Sequence, residues 1–172
     1  MQIRKIQPQD NHELGKLVQN VLMEMGAPKI GTAYSDPFLF HLFEEYSKPN
    51  AIYFVVTSNE KIVGGAGIGP VESGSLDVCE LQKMYFLPET RGLGLGKKLI
   101  SICMTEAIKF GYKRCYLETM PYMTAAQKLY KSVGFQNLDA PLGNTGHNSC
   151  PVWMICDLST FAVISNSDLP SN

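Results

Sequence analysis

Apolar residues recur along the chain with two alternating periods, and the points where the period changes divide it into elements. Ile3 to Ile6 reads as a short strand. Leu14, Leu17, Val18, Val21, Leu22 and Met25 then recur at helical spacing behind Asp10 or Asn11, either of which can cap a helix, and Gly26-Ala27-Pro28 ends the run. Ser35-Asp36-Pro37 reads as a second cap with proline at the first helical position, predicting a helix from Phe38 to Tyr46 that Lys48-Pro49-Asn50 closes.

From Ala51 the period shortens. Ile52 to Val56 and Ile62 to Ile68, on either side of Ser58-Asn59-Glu60, predict an antiparallel hairpin, and the glycines of its second arm mark a bulge or close packing. Val78 to Leu87 is a third strand, closed by Pro88. Gly94 to Phe110 is a helix with Leu99, Ile100, Cys103, Ala107 and Phe110 on one face and Lys98, Ser101, Thr105 and Lys109 on the other. Arg114 to Thr119 is a strand, and Thr124 to Val133 a short helix carrying Ala126, Leu129, Tyr130 and Val133 on one face, stopped by Gly134. A Gly-, Asn- and Pro-rich loop runs through His147 to a last strand, Val152 to Ile155, in which Trp153 reads as core.

The succession strand, glycine loop, helix, strand is a βαβ unit, so its two strands should be parallel neighbours while the preceding hairpin pairs antiparallel. The expected fold class is therefore α/β (α+β) around one mixed sheet. At 172 residues, 45% hydrophobic and 18% charged, the chain suits one domain, expected over residues 1–164, with a polar, disordered tail over 165–172.

Fifteen basic against sixteen acidic residues leave a net charge of −1, which gives no electrostatic case for nucleic acid or an anionic membrane. The five cysteines are odd in number and lack CxxC or Cys/His metal spacing, so no metal and a reducing, cytoplasmic setting are expected. No apolar run follows the N-terminal charges and none reaches the length of a membrane span.

The segment richest in chemistry is Arg91-Gly92-Leu93-Gly94-Leu95-Gly96-Lys97-Lys98, lying between a strand and a helix. Closely spaced glycines let backbone amides converge on an anion where the helix presents its unbonded N–H groups. The GxxxxGK[ST] nucleotide loop is excluded, because Arg91 stands at its first glycine and Lys98 at its Ser/Thr position. The GxGxxG dinucleotide fingerprint fails at Lys97.

With these exclusions the pattern resembles the GNAT superfamily of N-acetyltransferases, whose coenzyme motif [QR]xxGxG/A corresponds to Arg91 through Gly96. Met84-Tyr85-Phe86-Leu87-Pro88 is similar to the strand that precedes the motif in that family, and Ala126 to Phe135 to its AxxLYxxxGF segment. The resemblance implies a mostly antiparallel sheet with one splayed parallel pair, and acetyl-CoA as acyl donor. It implies that amides of Arg91, Gly92, Leu93, Gly94, Leu95 and Gly96 hold the diphosphate. Lys97 and Lys98 take a minor part, since a first-turn lysine is commonly solvated and its charge opposes the helix dipole. The main chain of Met84, Tyr85 and Phe86 would run beside the pantetheine arm, and the Tyr85 amide would polarise the acetyl carbonyl. One departure is Met123, where family members often carry an asparagine that touches the coenzyme.

Within that likeness Tyr130 is the candidate acid for the departing thiolate, since a phenol with pKa near ~10 stays protonated at neutral pH. Glu80, four residues before Met84, is the candidate base if its carboxylate is partly buried; a solvated strand-end carboxylate is the alternative. Strand alternation places Glu80, Gln82, Met84 and Phe86 on one face, and Leu81, Lys83 and Tyr85 on the other.

The expected reaction is transfer of acetyl to a primary amine, of a small molecule or a peptide, by direct attack in a ternary complex. Asp36, Glu44 and Glu45 near the second helix fit a cationic acceptor, though carboxylates there are commonly just solvated. Cys150 beside His147 raises a covalent route as a lesser option. The competing class is a CoA-binding sensor with weak catalysis, for which Met123 is the hint; a homodimer fits the resemblance.

Overall fold

The computed structural model describes residues 1–72, 74–143, 145 and 149–161, so His147 and the expected tail lie outside the described residues. Seven strands form one sheet: β1 (Gln2–Lys5), β2 (Ile52–Ser58), β3 (Lys61–Pro70), β4 (Val78–Phe86), β5 (Arg114–Thr119), β6 (Gln136–Leu138) and β7 (Val152–Asp157). Their order is β1-β2-β3-β4-β5-β7-β6, and among the described residues only β4 and β5 pair in parallel. The expected mixed, mostly antiparallel sheet is what the chain builds.

Strand alternation sorts the core into two layers. Tyr53, Val55 and Ile62 pack with α1 (Asn11–Glu24) and α2 (Leu42–Tyr46), whereas Phe54, Val56 and Val63 pack with α3 (Leu95–Lys109) and α4 (Thr124–Ser132). Leu14, Leu17, Val18, Val21 and Leu22 are buried along α1, and Leu99, Ile100, Cys103 and Ala107 along α3. The hairpin glycines admit Tyr53, whose ring lies against Gly65 and Gly67. Trp153 is half-buried against Val71, Val78 and Tyr116.

Several local expectations are corrected. The second helix spans only Leu42–Tyr46, because Asp36 Oδ1 accepts from the Phe38 amide (2.8 Å) in a turn, while Asn11 Oδ1 accepts from the Phe43 amide (2.7 Å) at the helix start. Asp10 does not cap α1 with its side chain; its carboxylate accepts from the Arg4 guanidinium (2.6 and 2.8 Å) and the Gln7 amide (2.7 Å). Gln136–Leu138, read as loop, is the edge strand β6. Thr105, placed on the polar face of α3, is buried and donates to the Ser101 carbonyl (2.9 Å).

The correction that matters most is in β4. Tyr85 opposes Gly65 and Gln82 opposes Gly67, so Lys83 and Met84 together face Ala66: a bulge, with Lys83 at φ +48°. One extra residue reverses the side-chain phase. Gln82 therefore turns toward the α1/α2 layer, receiving the Tyr46 hydroxyl (2.9 Å), and Tyr85 joins it there, whereas Met84 and Phe86 pack with Leu81 on the α3/α4 side. The single-face grouping of Glu80, Gln82, Met84 and Phe86 does not hold.

Candidate active site

Three features converge where β4 and β5 part. The parallel register runs Val78↔Arg114, Cys79↔Cys115 and Glu80↔Tyr116 and then stops, so beyond Glu80 the edge of β4 facing β5 has no strand partner. A groove of about 460 Å³ opens there, lined by the candidates Glu80, Met84, Tyr85, Phe86, Arg91, Gly92, Gly94, Leu95, Gly96, Lys97 and Tyr130. Leu93 is outside this lining, its side chain exposed.

The glycine loop forms one wall. Pro88–Thr90 makes a single turn after β4, fixed by the Thr90 hydroxyl bonding to the Leu87 carbonyl (2.9 Å). Gly92 (φ +77°) and Gly94 (φ +78°) then adopt left-handed backbone, and nothing lies within 4 Å of where a Cβ would sit on either. Gly94 is the N-cap of α3, so the amides of Leu95, Gly96 and Lys97 have no acceptor inside the helix and present its positive end to the groove. At Gly96 a Cβ would come within 2.8 Å of Leu129 Cδ2, so this glycine lets α3 approach α4. The Arg91 side chain is committed elsewhere: it chelates Glu24 at the end of α1 (2.8 and 2.8 Å) and donates through Nε to the Phe86 carbonyl (3.0 Å).

On the α4 side Tyr130 is buried, with its ring 5.9 Å from that of Phe135. Burial pushes its phenol up to about 12, so the hydroxyl keeps its proton at neutral pH. Glu80, on the opposite side, is 3% exposed rather than solvated. Burial raises its carboxyl to about 7, against the Gln82 amide, which donates to Oε2 (2.7 Å); the Glu118 charge adds to the rise and Lys83 opposes it. A carboxyl in this range exchanges protons near neutral pH.

Sequence reasoning missed three contributors to this side. Glu118 lines the groove, and its carboxyl is raised by burial against hydrogen bonds from Tyr116 and Thr145. Lys83 reaches from the bulge to Asp36 (2.6 Å), both side chains largely buried. Val21 and Leu22 of α1, with Met25 just after it, add an apolar wall. A second cavity of about 500 Å³ meets the groove at Thr32, Glu80, Gln82 and Lys83 and extends to Asp36, Phe38 and Glu45, while Glu44 bonds Asn11 (2.8 Å) away from it. The available signal was the alternation Tyr116, Glu118 on the strand paired with β4. Met123 and Cys150 line the groove too; burial, then the Glu118 and Glu80 charges, push the Cys150 thiol up to about 11.

The Acetyltransferase (GNAT) family model matches residues 20–135. The chain is 44% identical over 158 residues to a protein of Escherichia coli K12 named as the uncharacterized N-acetyltransferase YjgM, covering 91% of this chain and 94% of that one. A GNAT-family acetyltransferase of Staphylococcus aureus superposes with a TM-score of 0.80 at 21% identity, covering 91% of this chain and 98% of that one. The protein yncA of Salmonella typhimurium, solved with its cofactor acetyl-CoA, gives a TM-score of 0.75 at 19% identity, covering 96% of this chain and 98% of that one. The chain belongs to the GNAT family and is an acyltransferase of the N-acetyltransferase type. Among the described residues no helix is long and apolar enough to cross a membrane.

Proposed function

We propose that residues 1–164 act as one domain that transfers the acetyl group of acetyl-CoA to a primary amine by direct attack, with both substrates bound together in a cytoplasmic setting. The observation that carries this reading is that one groove joins the glycine-loop amides, the unpartnered edge of β4, the buried Tyr130 phenol and the buried Glu80 carboxyl. The open left-handed glycines and the free first-turn amides of α3 fit a diphosphate. Acetyl-CoA supplies an activated acyl carbon.

The chain's own groups do the rest. Amides from Gly92 to Lys97 hold the diphosphate, the expected Arg91 amide being bonded instead to the Pro88 carbonyl (3.2 Å); the main chain of Met84, Tyr85 and Phe86 aligns the pantetheine arm, and the Tyr85 amide faces the acetyl oxygen. Glu80 takes one proton from the acceptor ammonium through water, freeing the nitrogen lone pair. As the new C–N bond forms and the C–S bond breaks, Tyr130 gives its proton to the thiolate sulfur. The acylated nitrogen releases its second proton through water to the Tyr130 phenolate, restoring the phenol, and Glu80 gives its proton to solvent, so one proton is released per turnover. The cavity beyond Glu80 takes the body of a small or peptidyl amine.

The test is acetyl-CoA titration by calorimetry beside free-thiol release across a panel of amines. Tyr130→Phe should lower kcat by about 10²-fold or more and leave acetyl-CoA affinity unchanged. An unaltered kcat removes Tyr130 as the acid; tight acetyl-CoA binding with no turnover on any amine turns the reading toward a coenzyme sensor.

A further inference from the structure

The two sides of the splay each contribute one carboxylate to the acceptor side of the groove. Glu80 stands opposite Tyr116 in the last register pair, and Glu118 is the next residue of β5 on the same face as Tyr116. Both side chains line the groove. The Tyr116 hydroxyl (2.8 Å) and the Thr145 hydroxyl (2.9 Å) both donate to Glu118 Oε1, which fixes the carboxylate; among the described residues no hydrogen bond reaches Oε2.

Among the charged groups of the described residues, Glu118 acts on Glu80 more than Lys83 does. Among the described residues, the titratable groups around Glu80 are Lys83 and Tyr85 on β4, Tyr46 on α2, Tyr116 and Glu118 on β5, and Cys150 before β7. The phenols and the thiol are raised by burial and stay neutral, and Lys83 is bound to Asp36 (2.6 Å) as a pair with no net charge. Two carboxylates in one sheltered cleft resist ionising together, so the charge on one strengthens the other as a base.

We propose that Glu118 is a positioning residue for proton transfer at Glu80: its anchored carboxylate keeps Glu80 basic and supplies a counter-ion for the acceptor ammonium beside the group that deprotonates it. This rests on the reading of Glu80 as the base in amine acetylation. The proton passes from the ammonium to Glu80, the more deeply buried of the two carboxyls.

Glu118→Gln removes the charge but keeps an oxygen for the Tyr116 and Thr145 hydroxyls. The acidic limb of the kcat/KM profile for the amine should move down by ~1 pH unit, because Glu80 ionises more easily without a like charge nearby. Acetyl-CoA affinity should stay unchanged, and Glu118→Asp should return the limb toward its original position. A lower rate with the limb unmoved would make Glu118 a purely structural residue and overturn the proposal. The same limb persisting in Glu80→Gln would show that Glu80 is not the titrating group, and the base assignment would fall together with the role given to Glu118.

Discussion

The coenzyme side and the acceptor side of the groove are built from different materials. The first is made largely of main chain and lies within one short stretch, from Met84 to Lys97, with Ala125, Ala126, Leu129 and Tyr130 brought in from α4. The second is made of side chains gathered from Val21 on α1, Asp36 before α2, Glu80 and Lys83 on β4, Glu118 on β5 and Cys150 before β7. A site of backbone amides needs the right φ/ψ and little else, so it survives wide sequence change as long as its glycines remain. A site of side chains can change its preferred partner by single substitutions without altering the frame. Changes on the coenzyme side should therefore move coenzyme affinity, and changes on the acceptor side should move pH behaviour.

The sharpest way to break that division is Glu80→Gln. With its carboxyl raised from 4.5 to about 7 at 3% exposure, the folded state holds this proton more tightly than the unfolded chain. Its contribution to stability is complete below pH 4.5 and is lost as pH rises through about 7. A neutral glutamine that still accepts from Gln82 should thus leave stability unchanged near pH 4 and raise it by about 3 kcal/mol at pH 8. Urea midpoints at the two pH values check this. Acetyl transfer at pH 8 should fall about 10²-fold while acetyl-CoA affinity holds. A variant no more stable at pH 8 would mean that Glu80 is not strained by ionisation, and the contrast between the two sides would weaken.

A smaller effect is expected from Gly94→Ala on the coenzyme side. An added Cβ meets no atom within 4 Å, so the cost lies in holding alanine at φ +78°. That conformation costs an L-residue about 1–2 kcal/mol, so the acetyl-CoA Kd should rise roughly 5- to 30-fold if the loop relaxes when empty. The shape of the pH–rate profile should not change. A calorimetric Kd equal to that of the parent protein, with no compensating loss in Tm, would show that the loop does not need left-handed backbone at Gly94 to grip the coenzyme.

The same division explains what could be read from the sequence. The βαβ unit, the hairpin, the glycine loop and Tyr130 are local patterns, visible as period, breaker residues and spacing. The bulge at Lys83–Met84 is not, because it depends on how β4 pairs with β3, and sequence alternation alone put Glu80 and Met84 on one face. The only local signal for Glu118 is its alternation with Tyr116; it becomes a groove residue because β4 and β5 are parallel and part after Glu80. The three-residue strand Gln136–Leu138 is too short and too polar for periodicity to reveal it, and it is fixed by pairing with β7. Thr105 faces inward because its hydroxyl is satisfied by the helix itself, which hydropathy does not anticipate.

The smallest effect should come from Cys150→Ala, and its smallness is informative. Cys150 lines the groove beside the acceptor carboxylates, where a thiolate would be well placed to attack an acyl group. Yet burial and the negative charges of Glu118 and Glu80 push the thiol up to about 11. At that value only about one molecule in 10⁴ carries a thiolate at neutral pH, and the thiolate is the nucleophilic form. The anionic surroundings that suit an incoming ammonium are the ones that disarm a nearby cysteine, so an amine-attack site and a cysteine-acyl route oppose each other electrostatically. Turnover in Cys150→Ala should stay within about 2-fold of the parent, and rapid mixing with acetyl-CoA should release no burst of thiol before amine is added. A burst that disappears in the alanine variant would reverse that logic and make the acceptor side a covalent relay.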